Sequence, residues 1–564
     1  MSYEREPRYR LAAPARIDVG SDHLAAGIGG LTSAVIAVDG PAAVDWHELI
    51  GSLSDRLAAH GRVVVNVDVR DLLKPWTEIE RLTDRGALRS DPVFATVFEG
   101  TLADLFTTGQ PEVRRDGAIT VVFGPGSAVV PHDVLWYADL PKRLALEAVA
   151  NGRARNIGQP PGATGTVRRL LFIDWTMEDR QRRSLAPRWD RYVDASNARQ
   201  PRSLAGDVLR SALRDVAGAP FRPVPTFQAQ PWGGRWLHDV LGVPSPTGKI
   251  GLGFEVLAPE HGVSLTDGDA DLEVSFDTLM ALEADAVLGA GALARFGPSF
   301  PIRLDYLDTV DGGDLSVHCH PGARYMREVF GLPVAQHESY YVVATRPAAR
   351  IFLGLRDDAD VTAFRDRAAT SRASGAPFPI EDFVRTFPAV AHQLYLIPAG
   401  TPHGSGEGSV VLEISSTPYL YSLRFYDWVR ADRNGTLRPV QLEHAFANLD
   451  PDRRGPELGQ LVTEPSVVRT GPGFVERDLG RHPDLFFAVR RLDLDGGTAP
   501  ENTAGRFHVL ALVAGPSAMV ETARGDEHRL AFGESLIVPA SVGPYRVRPI
   551  GEGPHKVIKT FVDP

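Results

Sequence analysis

The rhythm of apolar residues changes once along this chain, near residue 231, and that change limits the available folds more than any other feature. From Leu31, short apolar runs alternate with amphipathic stretches: LTSAVIAVDG, HELIGSLSDRLAAHG, RVVVNVDVRDLL, AITVVFGPG and DVLWYADLP. Buried strands alternating with helices predict a mostly parallel, doubly wound α/β sheet over residues 31–200, preceded by an extension over 1–30. The proline-rich end of RQPRSLAGDVLRSALRDVAGAPFRPVPTF marks 201–230 as a linker. After Pro231 the pattern shifts to short strands of period two between Gly and Pro turns, as in GKIGLGFEVLAP, GDLSVHCHP, ESYYVVAT and SVVLEISS. This predicts an antiparallel β barrel over 231–464, and the same grammar resumes over 465–564 as a second barrel without the first one's histidines. Helical insertions interrupt the first barrel, with Ser275 and Asp360 as expected N-caps. At roughly 150 residues per domain, 564 residues accommodate this division.

Sixty basic against 71 acidic residues give a net charge of -11, which argues against a nucleic-acid partner. An anionic small molecule would need a local positive site. The single cysteine, Cys319, excludes an internal disulfide and any cysteine-rich zinc module. With no apolar signal core at the start and no apolar run near ~20 residues, the expectation is a cytoplasmic protein with no membrane partner. The oligomeric state is not legible.

The chemistry concentrates in LSVHCHP. On a strand, Ser316, His318 and His320 share one face, while Val317 and Cys319 point the other way. Glu338 opens the next strand, HESYYVVAT, and His403 stands in the Pro/Gly turn of QLYLIPAGTPHG. Three imidazole donors and one carboxylate suit zinc or another first-row divalent ion and suit calcium or magnesium poorly. Such an ion would act as a Lewis acid on a carbonyl or hydroxyl oxygen.

These segments, with PWGGRWL at 231–237, FEV around Glu255, FPI at Phe300, IPAGTPHGSGEGSVVLEIS and YSLRFYDW, resemble the type I mannose-6-phosphate isomerases over about 60% of the chain. The resemblance implies paired cupin (jelly-roll) barrels with a helical insertion and one zinc ion on His318, His320, Glu338 and His403. His318 departs from that family's usual glutamine. It also implies an aldose–ketose isomerase interconverting mannose 6-phosphate and fructose 6-phosphate through an enediol. Arg424 matches the family's motif arginine, and Glu413, Asp427 and His337 are candidates for the proton shuttle, with orienting a ligand the alternative role of Glu413 and bracing Arg424 that of Asp427. Asp305 takes the place of a pocket lysine, so Arg303, on the same strand face, is the candidate replacement cation. Tyr340 and Trp232 complete the expected substrate-binding set.

The segment AVIAVDGPAAVDWHELI, with Asp68 and LWYADLPKR, resembles the opening of uridine-kinase-like P-loop proteins. Trp46 and His47 occupy the positions where such a loop needs lysine and a hydroxyl, and Asp45 would repel phosphate. The implied domain is a degenerate P-loop kinase-like one, with Arg153, Arg155, Arg182 and Arg183 as an alternative basic cluster. Two other readings of the whole chain stand beside the isomerase: a cupin metal-dependent dioxygenase, and a sugar-phosphate sensor without turnover.

Overall fold

A computed structural model describes residues 3–562 apart from 29, 32, 109–112, 114, 115, 418 and 432–434. The chain forms several units with many β-sheets, and each sheet type follows from its burial. In the first unit, Ala34–Asp39 is buried along its whole length at the centre of a seven-stranded sheet. The strand order is Asp18–Val19, Arg202–Ala205, Arg191–Asp194, Val134–Asp139, Ala34–Asp39, Ile119–Phe123, Val64–Asp68. Five of these strands run parallel, and the two at one edge are antiparallel. Continuous apolar strands such as AVIAVD are what helices on both faces of a parallel sheet require.

The region read as a linker, 201–230, does not behave as one over its first two-thirds. Arg202–Ala205 joins the sheet, and helix Gly206–Ala217 buries Leu209, Ala212, Leu213 and Val216. Their spacing is one helical stripe, so apolar burial outweighs the local proline content. The extension over 1–30 is likewise tied down, because Arg8–Arg10 pairs in parallel with Gly262–Thr266.

Beyond this, a middle β unit sets a six-stranded antiparallel sheet against a five-stranded one. The larger runs Leu394–Ile397, Glu338–Thr345, Ser409–Ser416, Ile302–Asp308, Leu252–Val256, Thr226–Gln228. The smaller runs Val384–Pro388, Arg350–Leu355, His403–Ser405, Val317–Cys319, Leu423–Tyr426. A C-terminal β unit repeats the plan with six- and four-stranded sheets around one apolar core. Both expected caps form: Ser275 accepts from the Thr278 N–H, and Asp360 from those of Thr362 and Ala363.

Buried polar links join the units. Glu255 is fully buried and accepts hydrogen bonds from Tyr3, from Arg222 at 3.1 and 3.2 Å, and from the Ser535 N–H at 2.7 Å. Lys142 bridges Asp179 at 2.7 Å to Asp277 at 3.1 Å, stapling the first unit to the helical insertion. Among the described residues, no helix is long and apolar enough to cross a membrane.

The crevice at the carboxyl ends of the parallel strands, where a nucleotide would sit in a doubly wound sheet, is filled by the chain itself. Asp39 accepts N–H groups from Gly40, Gly126 and Ala128 and the Gln181 amide. Asp45 caps helix Trp46–Ala59 through the Glu48 N–H, placing a carboxylate where a phosphate would bind. The proposed arginine cluster does not assemble. Arg182 is buried against Asp139 and Asp179, Arg153 pairs with Glu147 at the surface, and Arg155 and Arg183 bond to backbone carbonyls.

Candidate metal centre

The middle unit brings His318, His320, Glu338 and His403 together inside it, with one potential ligand atom from each within 4.8 Å of the others. Their placement follows from strand register. Val317 and Cys319 point into an apolar core, so the alternating His318 and His320 must face the opposite way. His403 lies directly opposite His318 on the neighbouring strand. Glu338 comes from the facing sheet, where it is the first residue of Glu338–Thr345.

Each imidazole is oriented by its own backbone acceptor. Nδ1 of His318 lies 2.9 Å from the Ser316 carbonyl, that of His320 3.1 Å from Tyr421, and that of His403 2.8 Å from Thr401. A carbonyl only accepts, so each Nδ1 carries the proton and each Nε2 presents its lone pair to the shared space. Nε2 of His320 is 2.9 Å and that of His403 3.2 Å from the two oxygens of Glu338, which also only accept. A neutral ring cannot supply a second proton. Burial holds His318 well below and His320 below the usual imidazole range, which disfavours the imidazolium that would resolve the conflict with a proton. The His320 Nε2 is buried without a hydrogen-bond partner. A divalent cation among these atoms satisfies all of them, so the donor set fits a metal ion.

Around this group the larger sheet adds a charged layer. Arg303 contacts Asp305 at 2.9 Å, Glu338 at 3.4 Å and, more closely, Glu413. Burial raises Asp305 to about 6, against the opposing pull of Arg303, and pushes Glu413 well above the usual carboxylate range. Tyr340 lies edge-on to His403 at 5.6 Å, with its hydroxyl buried and without a partner. Arg424 is in register with His318, and its guanidinium reaches the Pro439 carbonyl at 3.3 Å. A cavity of about 500 Å³ opens beside Gly322 and Gly400, and the Gly400 N–H donates to the His320 carbonyl.

Three expectations need correction. Arg303 does not offer a spare positive charge for phosphate, because three carboxylates surround it. Trp232 sits in the main apolar core, and among the described residues no hydrogen bond, ion pair or ring contact joins it to the four ligands. Asp427 pairs with Arg430 at 3.1 Å and Arg438 at 3.0 Å, not with Arg424. Sequence reading also missed two supports. The Gln336 amide donates to Glu338 at 3.0 Å, and its place two residues before Glu338 was a usable signal. Tyr421, which accepts from His320, stacks on Phe94 of the first unit at 5.9 Å, and no local pattern announces a contact so distant in sequence.

Residues 20–218 match a family model described only as a domain of unknown function, DUF8485. A mannose-6-phosphate isomerase of Streptococcus mutans is 25% identical over 318 residues, which is 55% of this chain and 89% of that protein. The mannose-6-phosphate isomerase ManA of Bacillus subtilis is 22% identical over 351 residues, 59% of this chain and 96% of that one. A crystal structure of the mannose 6-phosphate isomerase from Bacillus subtilis is 22% identical, with a TM-score of 0.49, and the match covers 61% of this chain and 99% of that chain.

Proposed function

We propose that this chain is a metal-dependent aldose–ketose isomerase that interconverts mannose 6-phosphate and fructose 6-phosphate, with zinc held by His318, His320, Glu338 and His403. The observation that carries this reading is the convergence of three Nε2 lone pairs and one carboxylate on a single buried point. The isomerase names of the relatives favour it over the dioxygenase and sensor readings. We read the two β units as jelly-roll barrels of the cupin kind and the first unit as a kinase-like sheet. Its strand order suits that reading, while its closed crevice and Asp45 cap remove the phosphate site.

Isomerisation moves a proton between adjacent sugar carbons through an enediol whose oxygens gain negative charge. When bound, the ion supplies a Lewis acid beside those oxygens. Glu413, whose carboxyl burial pushes well above the usual carboxylate range, carries the proton between the two sugar carbons. Arg303 orients Glu413 and Glu338 and offsets their repulsion with Asp305. Tyr340 presents its hydroxyl to the sugar. Arg424 supplies positive charge near the enediol oxygens, and Asp427 braces the Arg430 and Arg438 pair beside it.

The test is the conversion of mannose 6-phosphate by the full chain before and after chelation, after zinc is restored, and in His320→Ala. Chelation and His320→Ala should each abolish turnover, and zinc should restore the chelated protein. Unchanged activity in both conditions overturns the reading, and iron-dependent oxygen consumption replaces it with oxidation.

A further inference from the structure

The C-terminal β unit also contains a chemically organised interior. Along Phe487–Leu494, Leu492 and Leu494 point into its apolar core, and Arg490 lies on that same inner face. The pattern recurs on four more strands. His508 shares a face with Leu510 and Leu512, Lys559 with Val557, Glu476 with Phe474, and Glu501 with Ala499. One end of the unit's interior is therefore apolar and the other charged. At the charged end is a cavity of about 420 Å³, which Arg469 and Arg506 also line.

Counting these groups gives four cations, Arg469, Arg490, Arg506 and Lys559, against two carboxylates, Glu476 and Glu501. The carboxylates are fully engaged. Lys559 lies 2.6 Å from each, Arg469 contacts both, and Arg490 reaches Glu476 at 3.2 Å. Lys559 and Glu476 are almost wholly buried. Arg490 is shared between Glu476 and, at 3.8 Å, Asp478, so Arg506 is the accessible cation with no carboxylate against it. The Arg506 guanidinium has no ion-pair or hydrogen-bond partner among the described residues and lies over the Phe561 ring at 5.2 Å. The buried Nε of Arg490 has no hydrogen-bond partner. His508 uses Nδ1 toward the Tyr545 hydroxyl at 2.7 Å, while its Nε2 has no partner among the described residues. Excess cationic charge is costly to hold in a partly desolvated cavity unless an anion joins it. A volume of this size lies within the range of small-molecule sites.

We propose that this cavity binds a small organic dianion, a phosphomonoester or a dicarboxylate, on Arg490, Arg506 and His508. The site is separate from the metal centre and does not depend on the isomerase reading. Arg506 and the partly compensated Arg490 both lie over Phe561, so their guanidinium groups supply charge-assisted donors while that ring packs against the organic portion.

Isothermal titration of the full chain with glycerol 3-phosphate, with succinate and with uncharged glycerol tests the assignment. One of the two dianions should bind below about 1 mM, in the wild type and equally in His320→Ala, and glycerol should not bind. The stronger ligand identifies the class. Arg506→Gln should weaken that binding at least tenfold; because Arg506 forms no ion pair, the folded lattice around Glu476 should survive its replacement, and a thermal melt checks this. Arg490→Gln provides a second variant with the same expected loss. The proposal fails if neither dianion binds, if binding in Arg506→Gln and Arg490→Gln stays within twofold of wild type, or if His320→Ala alone removes it. That last result would place the ligand at the metal centre.

Discussion

The two β units share one construction and hold opposite charge inside. In the middle unit three histidines and the carboxyl groups of Asp305, Glu338 and Glu413 gather around Arg303, so acidic groups outnumber the cation among them. In the C-terminal unit three arginines and a lysine line the cavity against two glutamates, with Asp478 also reaching Arg490 at 3.8 Å, so cations outnumber carboxylates there. Strand alternation decides which positions face inward in both. The residue types at those positions then decide whether the interior suits a divalent cation or a dianion. Fold and ligand chemistry are thus separable here: the backbone supplies the interior, and a handful of side chains sets its sign.

The largest expected effect separates the two interiors directly. His403→Ala should remove the bound metal and lower kcat/KM by at least about 10³-fold, because it deletes a ligand and leaves Glu338 against a single imidazole. Elemental analysis of the purified protein should return one ion per chain in the wild type and none in the variant. Two ions in the wild type would break the comparison, since the second would have to occupy an interior that is already positive.

Next comes the contact that couples the units. Glu255→Ala removes the shared acceptor of Tyr3, Arg222 and the Ser535 N–H and leaves buried Arg222 with Glu534, at 3.3 Å, as its remaining carboxylate among the described residues. Stranding a buried charge costs about 3–5 kcal/mol. In calorimetry the variant should lose a single cooperative melt and show the C-terminal unit unfolding separately. An unchanged melting curve would show that the units fold as one body without this link.

Acid exposes the contrast more gently. Burial raises Asp308 of the middle unit to about 6 against the N–H groups of Leu237 and Val310 that oppose it. A carboxyl with a raised folded pKa stabilises the protein fully below its unfolded value near 4, and that contribution is lost as pH rises through 6. The size is about 2–3 kcal/mol. In the C-terminal unit burial works to raise Glu476, but Lys559 and Arg469 outweigh it and hold the group down to about 2. Its contribution is present above about 4.5 and lost as pH falls toward 2. Melting temperature against pH should therefore fall between about 4 and 6 and fall again in strong acid. Glu476→Gln should flatten only the acid limb. Asp308→Asn should reduce the first slope, to which Asp305 also contributes, while lowering stability overall, because its amide faces an N–H that had an acceptor.

The sequence made the metal quartet legible because His318 and His320 lie two apart on one strand, and because Glu338 and His403 fall at strand starts marked by turns. The relative depth of charged residues was less legible. Arg303 read as a free cation because period two reports which face a residue occupies and nothing about how many carboxylates share that face. Trp232 sat in a motif and looked functional, yet its large ring was taken up by the core. Helix Gly206–Ala217 was hidden by the prolines that follow it, although Leu209, Ala212, Leu213 and Val216 spelled its buried stripe. The cation-rich interior of the second β unit was missed because its members come from six strands and the Arg506 loop, with no two adjacent in a recognisable motif.

A final difference between the units is the helix inserted into the middle one, Val361–Ser374, which has no counterpart among the described residues of the C-terminal unit. Its start depends on Asp360, whose carboxylate accepts two otherwise unpaired N–H groups. Phe364 and Ala368 anchor its inner face. Asp360→Ala should cost about 1 kcal/mol, the ordinary value of an N-cap, and should speed amide exchange over 361–364 without changing metal content. Phe364 packs on Phe425 at 5.2 Å, in the strand that carries Arg424. If loosening the cap also raises KM, the inserted helix sets the position of Arg424, and the contrast between the units extends from the residues inside them to the elements that brace them.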